Sequence, residues 1–183
     1  MTTIAVFGSA IIAPDTPEYT AAEAVGFALA HAGYSVMTGG YDGIMGAASK
    51  GAAAAGGEVI GITVARSGQL EERIPNPWLT QNIELPDMRT RLVHLVDHAE
   101  GYVIMPGGIG TLQEVGEAWQ LLRMIPVRRP MVAFGTMWRQ VLQPIASSPY
   151  VSPAQTQTLF FCDAPEQVVP AIENVLNMNV PNT

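Results

Sequence analysis

Three times in this chain a short apolar run ends in glycine and gives way to a helix pattern. The runs are residues 4–7 before Gly8-Ser9, 34–38 before Gly39-Gly40-Tyr41-Asp42-Gly43, and 101–104 before Pro106-Gly107-Gly108-Ile109-Gly110. Apolar runs without polar alternation read as strands buried on both faces, and helices between them are what joins parallel strands. Further strand patterns at 58–62, 82–85, 131–134 and 158–161 continue the alternation. Helix patterns fall at 17–32, 44–55, 88–99, 112–122, 138–145 and 164–177. The expectation is an α/β chain: one domain over residues 1–183, with a doubly wound Rossmann-like parallel sheet of six or seven strands and helices on both faces. Its ligand would lie beyond the carboxyl ends of the strands, where the three glycine turns meet.

Local signals set several boundaries. Thr16-Pro17-Glu18 opens the first helix, with Thr16 as N-cap and Pro17 at the first position, and Gly33 closes it. Asp87 caps the helix from Met88, whose Leu92, Val93, Leu95 and Val96 are expected to face inward. Residues 66–80 read as a loop with a short helical turn at 69–73, and 179–183 as a frayed tail.

Composition narrows the function classes. Charged residues are 14% and apolar residues 48%, so polar cover is thin and part of the apolar surface is expected in a subunit interface. A net charge of −7 without a basic block speaks against nucleic acid. The single Cys162 excludes an internal disulfide and fits a reducing compartment. No run approaches a membrane span, and residues 1–3 lead directly into a strand, leaving no room for a signal peptide. A cytoplasmic protein is expected.

The run Pro106-Gly107-Gly108-Ile109-Gly110-Thr111-Leu112-Gln113-Glu114 carries the chemistry. A glycine turn at a helix start aims free N–H groups and the helix dipole at an anion. It is neither a GxGxxG fingerprint nor a Walker A loop. Against this stands a bland reading in which the glycines supply only positive φ and Thr111-x-x-Glu114 is a capping box. Glu117 shares the helix face of Glu114. Upstream, Arg89 and Arg91 point to different sides of one helix, and spacing does not choose between them. Gly39, Gly40 and Asp42 form a second turn, either a ligand contact or a turn with Asp42 as N-cap. His94 and His98 are four apart with no third ligand, so no metal site is expected.

Together, Gly39-Gly-Tyr-Asp-Gly-Ile-Met-Gly46, Asp87-Met-Arg-Thr-Arg91 and Pro106-Gly-Gly-Ile-Gly-Thr-Leu-Gln-Glu114 resemble the LOG (LONELY GUY) family of cytokinin riboside 5′-monophosphate phosphoribohydrolases, long labelled lysine decarboxylase-like. The resemblance implies a homodimer or multiple of dimers, with sites at the subunit interface. It implies metal-independent, cofactor-free hydrolysis of the N-glycosidic bond of a purine nucleoside 5′-monophosphate such as AMP, including N6-substituted cytokinin types. Arg91 and Glu114 would be catalytic. Gly107, Gly108, Gly110 and Thr111 would hold the phosphate and Glu117 would lie near the ribose, with Gly8, Ser9, Gly39, Gly40 and Met88 as further substrate contacts. The chain departs from the family pattern at Arg89-Thr90, where His-Glu is common, and at Leu92, where lysine is usual. It departs again at Leu121 and Arg123, in the places of a tryptophan and a glutamine. These departures also fit a sister group that includes molybdenum-cofactor carriers, so the alternative is a non-catalytic nucleotide or molybdenum-cofactor binder. Decarboxylation through pyridoxal phosphate needs a Schiff-base lysine, and Lys50, the one lysine, lies on a helix away from the glycine turns.

Overall fold

The computed structural model describes residues 1–65, 73–122 and 124–178. The helical turn expected at 69–73 lies, apart from Arg73, outside those residues, as does the tail at 179–183. Along the chain run β1 (Thr3–Phe7), α1 (Pro17–His31), β2 (Ser35–Thr38), α2 (Ile44–Ala54), β3 (Val59–Val64), β4 (Gln81–Leu85), α3 (Met88–Asp97) and β5 (Gly101–Ile104). Then follow α4 (Ile109–Leu121), β6 (Met131–Phe134), α5 (Thr136–Ala146), α6 (Pro153–Thr156), β7 (Leu159–Cys162), a 3-10 turn at Pro165–Gln167 and α7 (Val168–Asn177).

The strands form one seven-stranded sheet in the order β4-β3-β2-β1-β5-β6-β7, every pair parallel. The chain winds outward from β1 to β4, then returns to the other side of β1 with β5. The winding therefore reverses between β1 and β5, where a crevice opens at the strand ends.

Two apolar layers hold the sheet. Ile4, Val6, Val36, Val59, Val103 and Val132 meet α1, α2 and α7 on one face. Ala5, Phe7, Met37, Ile62, Tyr102, Ile104, Met131 and Ala133 meet α3, α4 and α5 on the other. Successive residues of one strand thus enter opposite layers, which is why these runs carry no polar alternation. Helices α1 and α2 touch through small residues: a Cβ on Gly26 would strike the Ala48 carbonyl, and one on Gly51 would strike that of Glu23.

The expected caps of α1 and α3 are present. Thr16 Oγ1 accepts from Tyr19 N–H at 3.2 Å, and Asp87 Oδ1 accepts from Arg89 and Thr90 N–H at 2.8 and 2.9 Å. Two caps offered by the alternative readings are not. Helix α4 begins at Ile109 with Gly108 as N-cap, so Thr111 lies inside the first turn and the capping box does not form. Glycine is acceptable at an N-cap, and Thr111 instead packs on Gly107, where a Cβ would overlap its hydroxyl. Helix α2 is capped by Gly43 at φ +70°, not by Asp42; there the backbone presses against Ser9 and Ala10, leaving no room for a side chain. Val93, expected inward, is 47% exposed, because α3 buries Arg91, Leu95 and Val96 instead. The short α6 had no periodic signal, and the last helix starts with a 3-10 turn.

Candidate active site

At the switch point the strand-end turns are joined by backbone hydrogen bonds. Ser9 N–H donates to Pro106 O at 3.0 Å, and Ile44 N–H donates to Ser9 O at 2.8 Å. Over this junction opens a cleft of about 320 Å³ lined by residues of β1's end, α2, α3 and α4. Gly8, Ser9, Met88, Arg91, Gly108, Gly110, Thr111 and Glu114 all border it.

The first turn of α4 forms one wall. Its early N–H groups have no partner within the helix, and Gly108 offers no side-chain cap. Neither Gly108 nor Gly110 has a positive φ, and a Cβ on either would meet nothing within 4 Å. Neither glycine is therefore demanded by positive φ or by a close contact, unlike Gly107, which has no room for a side chain. What their bareness provides is open access to the helix N-terminus, a setting suited to an anion.

Arg91 and Glu114 face each other across the cleft. Arg91 is 6% exposed. Its Nε donates to Ile62 O at 2.7 Å and its Nη2 to Gly39 O at 3.1 Å, with Met45 Sδ at 4.0 Å. Its Nη1 lies 3.9 Å from Glu114 Oε1, longer than a direct charge-assisted hydrogen bond. Burial pushes the Glu114 carboxyl from 4.5 up to about 7, against the downward pull of the Arg91 charge. Burial likewise lowers the Arg91 value, opposed by Glu114. Two buried charges that share a site and depend on each other in this way are a usual mark of a functional centre. The choice between the two arginines is plain in three dimensions, since Arg89 is exposed.

Other expected contacts lie elsewhere. Gly39 and Gly40 are not on the cleft wall: a Cβ on Gly39 would occupy the space of the Arg91 guanidinium, and Gly40 packs on Thr63 and Gly61. Gly107 supports Thr111 from below. Glu117 is exposed on α4 and does not border the cleft. Several bordering residues had no sequence signal. No motif singles out Ile11 or Arg73 as a contact, and Met45 appears only as a position of the motif at residues 39–46. Tyr41 is buried, its hydroxyl accepting from Val64 N–H at 3.0 Å, and its ring carries Arg91 and Arg73 at 5.7 and 5.6 Å. Buried Asn76 locks this turn, donating from Nδ2 to Tyr41 O at 3.1 Å and from its N–H to Gly40 O at 2.8 Å. Among the described residues no group of three or more His, Cys, Asp or Glu could hold a metal ion, and no helix is long and apolar enough to cross a membrane.

A family model described as "Possible lysine decarboxylase" matches residues 45–172. The cytokinin riboside 5′-monophosphate phosphoribohydrolase LOG5 of Arabidopsis thaliana is 35% identical over 89 residues, which are 48% of this chain and 38% of that protein. The cytokinin riboside 5′-monophosphate phosphoribohydrolase of Mycobacterium marinum is 33% identical over 119 residues, 64% of this chain and 62% of that protein. The chain thus spans less than two thirds of either relative's length. Among solved structures, the molybdenum cofactor binding protein of Rippkaea orientalis superposes with a TM-score of 0.76 at 21% identity, covering 96% of this chain and 97% of that one. At that identity the likeness concerns the fold.

Proposed function

The chain belongs to the LOG family, and on that premise we propose that its cleft hydrolyses the N-glycosidic bond of a purine nucleoside 5′-monophosphate to free base and ribose 5-phosphate. The observation that carries the reading is the pair of buried Arg91 and largely covered Glu114 set beside the bare N-terminus of α4. The phosphate dianion would sit on the N–H groups at Gly110 and Thr111, where dipole and open space favour it. That anchor directs the ribose toward Glu114. Cleavage passes through an oxocarbenium-like state, whose positive charge an ionised Glu114 stabilises while taking a proton from the attacking water. Arg91 orients that carboxylate and favours its ionised form against the larger opposing effect of burial. Water's hydroxyl ends on the sugar, and the leaving purine takes a proton from solvent, to which Glu114 returns the one it took from water. Water suffices as nucleophile, so neither metal nor cofactor is invoked, and a homodimer is the proposed assembly.

The family model's description names another chemistry, which the placement of Lys50 disfavours. It stands on α2 with its Nζ 2.9 Å from Glu23 Oε2 of α1, outside the cleft wall. A second reading, binding of a nucleotide or molybdenum cofactor without turnover, draws on Leu92. This residue packs against the core where the family usually brings a lysine. Incubation with AMP and N6-substituted AMP, followed by assay of free base, decides between them. Release that disappears in Glu114→Gln is expected; ligand-induced thermal stabilisation with no base released would leave only the carrier reading.

A further inference from the structure

We propose that the cleft continues into a base subsite that reads the edge of a 6-oxopurine, with Arg73 as donor and Asp42 as acceptor. This rests on the nucleotide reading above and names the base that it leaves open.

Beside the cleft lies a second hollow of about 250 Å³, lined by Ala10, Ile11, Tyr41, Asp42, Arg73 and Ile74. It shares Ala10, Ile11 and Arg73 with the cleft, so a ligand anchored on α4 can extend into it. Tyr41 borders the hollow with Arg73 over its ring. Ile11 and Ile74 are 90% and 67% exposed, large aliphatic side chains at the mouth of a polar hollow. Such surfaces suit the faces of a flat heterocycle.

The two charges in the hollow decide which edge it takes. Asp42 and Arg73 are opposite in sign and line the same space, yet no ion pair joins them, and neither pairs with another charge among the described residues. Asp42 is relieved of the capping role because Gly43 starts α2. Its carboxylate has no hydrogen-bond partner among the described residues. Arg73 lies over the Tyr41 ring at 5.6 Å, and its N–H groups make no hydrogen bond among the described residues. A guanidinium only donates and a carboxylate only accepts. Guanine and hypoxanthine present O6 and N7 as adjacent acceptors, the pattern arginine matches bidentately. Their N1–H, and in guanine the 2-amino group as well, donate to a carboxylate. Adenine sets its 6-amino donor beside N7, so Arg73 would face a donor. The expected order is guanine, then hypoxanthine, then adenine, which differs from the adenine-derived substrates in the relatives' names.

Calorimetric titration of Glu114→Gln with GMP, IMP and AMP tests the order without turnover. GMP is expected to bind about tenfold more tightly than AMP, the size of one good bidentate contact, with IMP between them. Arg73→Ala should narrow the gap between IMP and AMP to what the N1 contact with Asp42 leaves, and Asp42→Ala should bring GMP and IMP together; both residues are exposed, so folding is not at stake. AMP binding as tightly as GMP, binding of neither, or a GMP preference that survives both substitutions overturns the subsite. Turnover by the unsubstituted protein is scored separately. A GMP preference without base release removes the hydrolase and keeps the subsite, whereas base release without preference does the reverse.

Discussion

A carboxyl group that titrates near neutrality makes this protein's stability depend on pH in an unusual direction. Glu114 moves from 4.5 to about 7 on folding because burial disfavours its charge. Between those values the native state holds a proton that the unfolded chain has lost, so stability falls as pH rises through that window. The size is on the order of 3 kcal/mol for a shift of this extent. Replacing Glu114 by Gln removes the titration, so the variant's melting temperature relative to the parent should climb from pH 5 to pH 8. A constant difference across that range would mean that Glu114 is not buried in its acid form. Activity should run the other way, rising through about pH 7 as the carboxylate forms. Arg91 gives a companion test. Its Nε and Nη2 are held by two backbone carbonyls while Nη1 faces Glu114, a division of labour that a lysine cannot copy. Arg91→Lys is therefore expected to lower kcat/KM by roughly 100-fold or more while circular dichroism stays unchanged.

At the scale of the element, helix α4 shows how a legible motif can be read one turn out of place. Thr111 and Glu114 have the spacing of a capping box, and only the packing of Thr111 on Gly107 reveals that the helix starts earlier. That shift converts Glu114 from a stabilising cap into a buried acid facing Arg91. It also distinguishes two kinds of glycine. Gly110→Ala meets open space, so stability should hold or rise by up to about 1 kcal/mol from helix propensity, while affinity for ribose 5-phosphate falls at least tenfold by calorimetry. Gly26→Ala meets the Ala48 carbonyl across the α1–α2 contact and should cost about 1–3 kcal/mol in denaturant unfolding. If Gly110→Ala binds the sugar phosphate normally, the bare N-terminus of α4 is not the anchor. Strands buried on both faces, and helices with a Thr16 or Asp87 cap, were legible because each signal is local. Arg73 and Asn76 were not, since their roles come from a loop folding back over the Tyr41 turn, a contact without a sequence period.

For the whole molecule, the surface left by this fold bears on whether one chain is enough. Fourteen per cent charge gives little polar cover, and the exposed apolar side chains include Met88 and Val93 on α3 and Ile109 and Leu112 on α4. These two helices pack together on one face of the sheet and supply Arg91 and Glu114 from their inner sides. A second copy seated on their outer sides would bury the apolar residues and stand beside the mouth of the cleft. Val93 is the cleanest probe because it is exposed and does not border the cleft. Light scattering should give the parent protein twice its 19.5 kDa chain mass, and Val93→Asp should bring it to a single chain of unchanged fold. A parent mass of one chain would refute the dimer at once. If the dimer forms, comparing base release by the two states tells how much of the site a single chain supplies. Equal turnover per chain would mean that Arg91, Glu114 and the α4 N-terminus suffice without a neighbour.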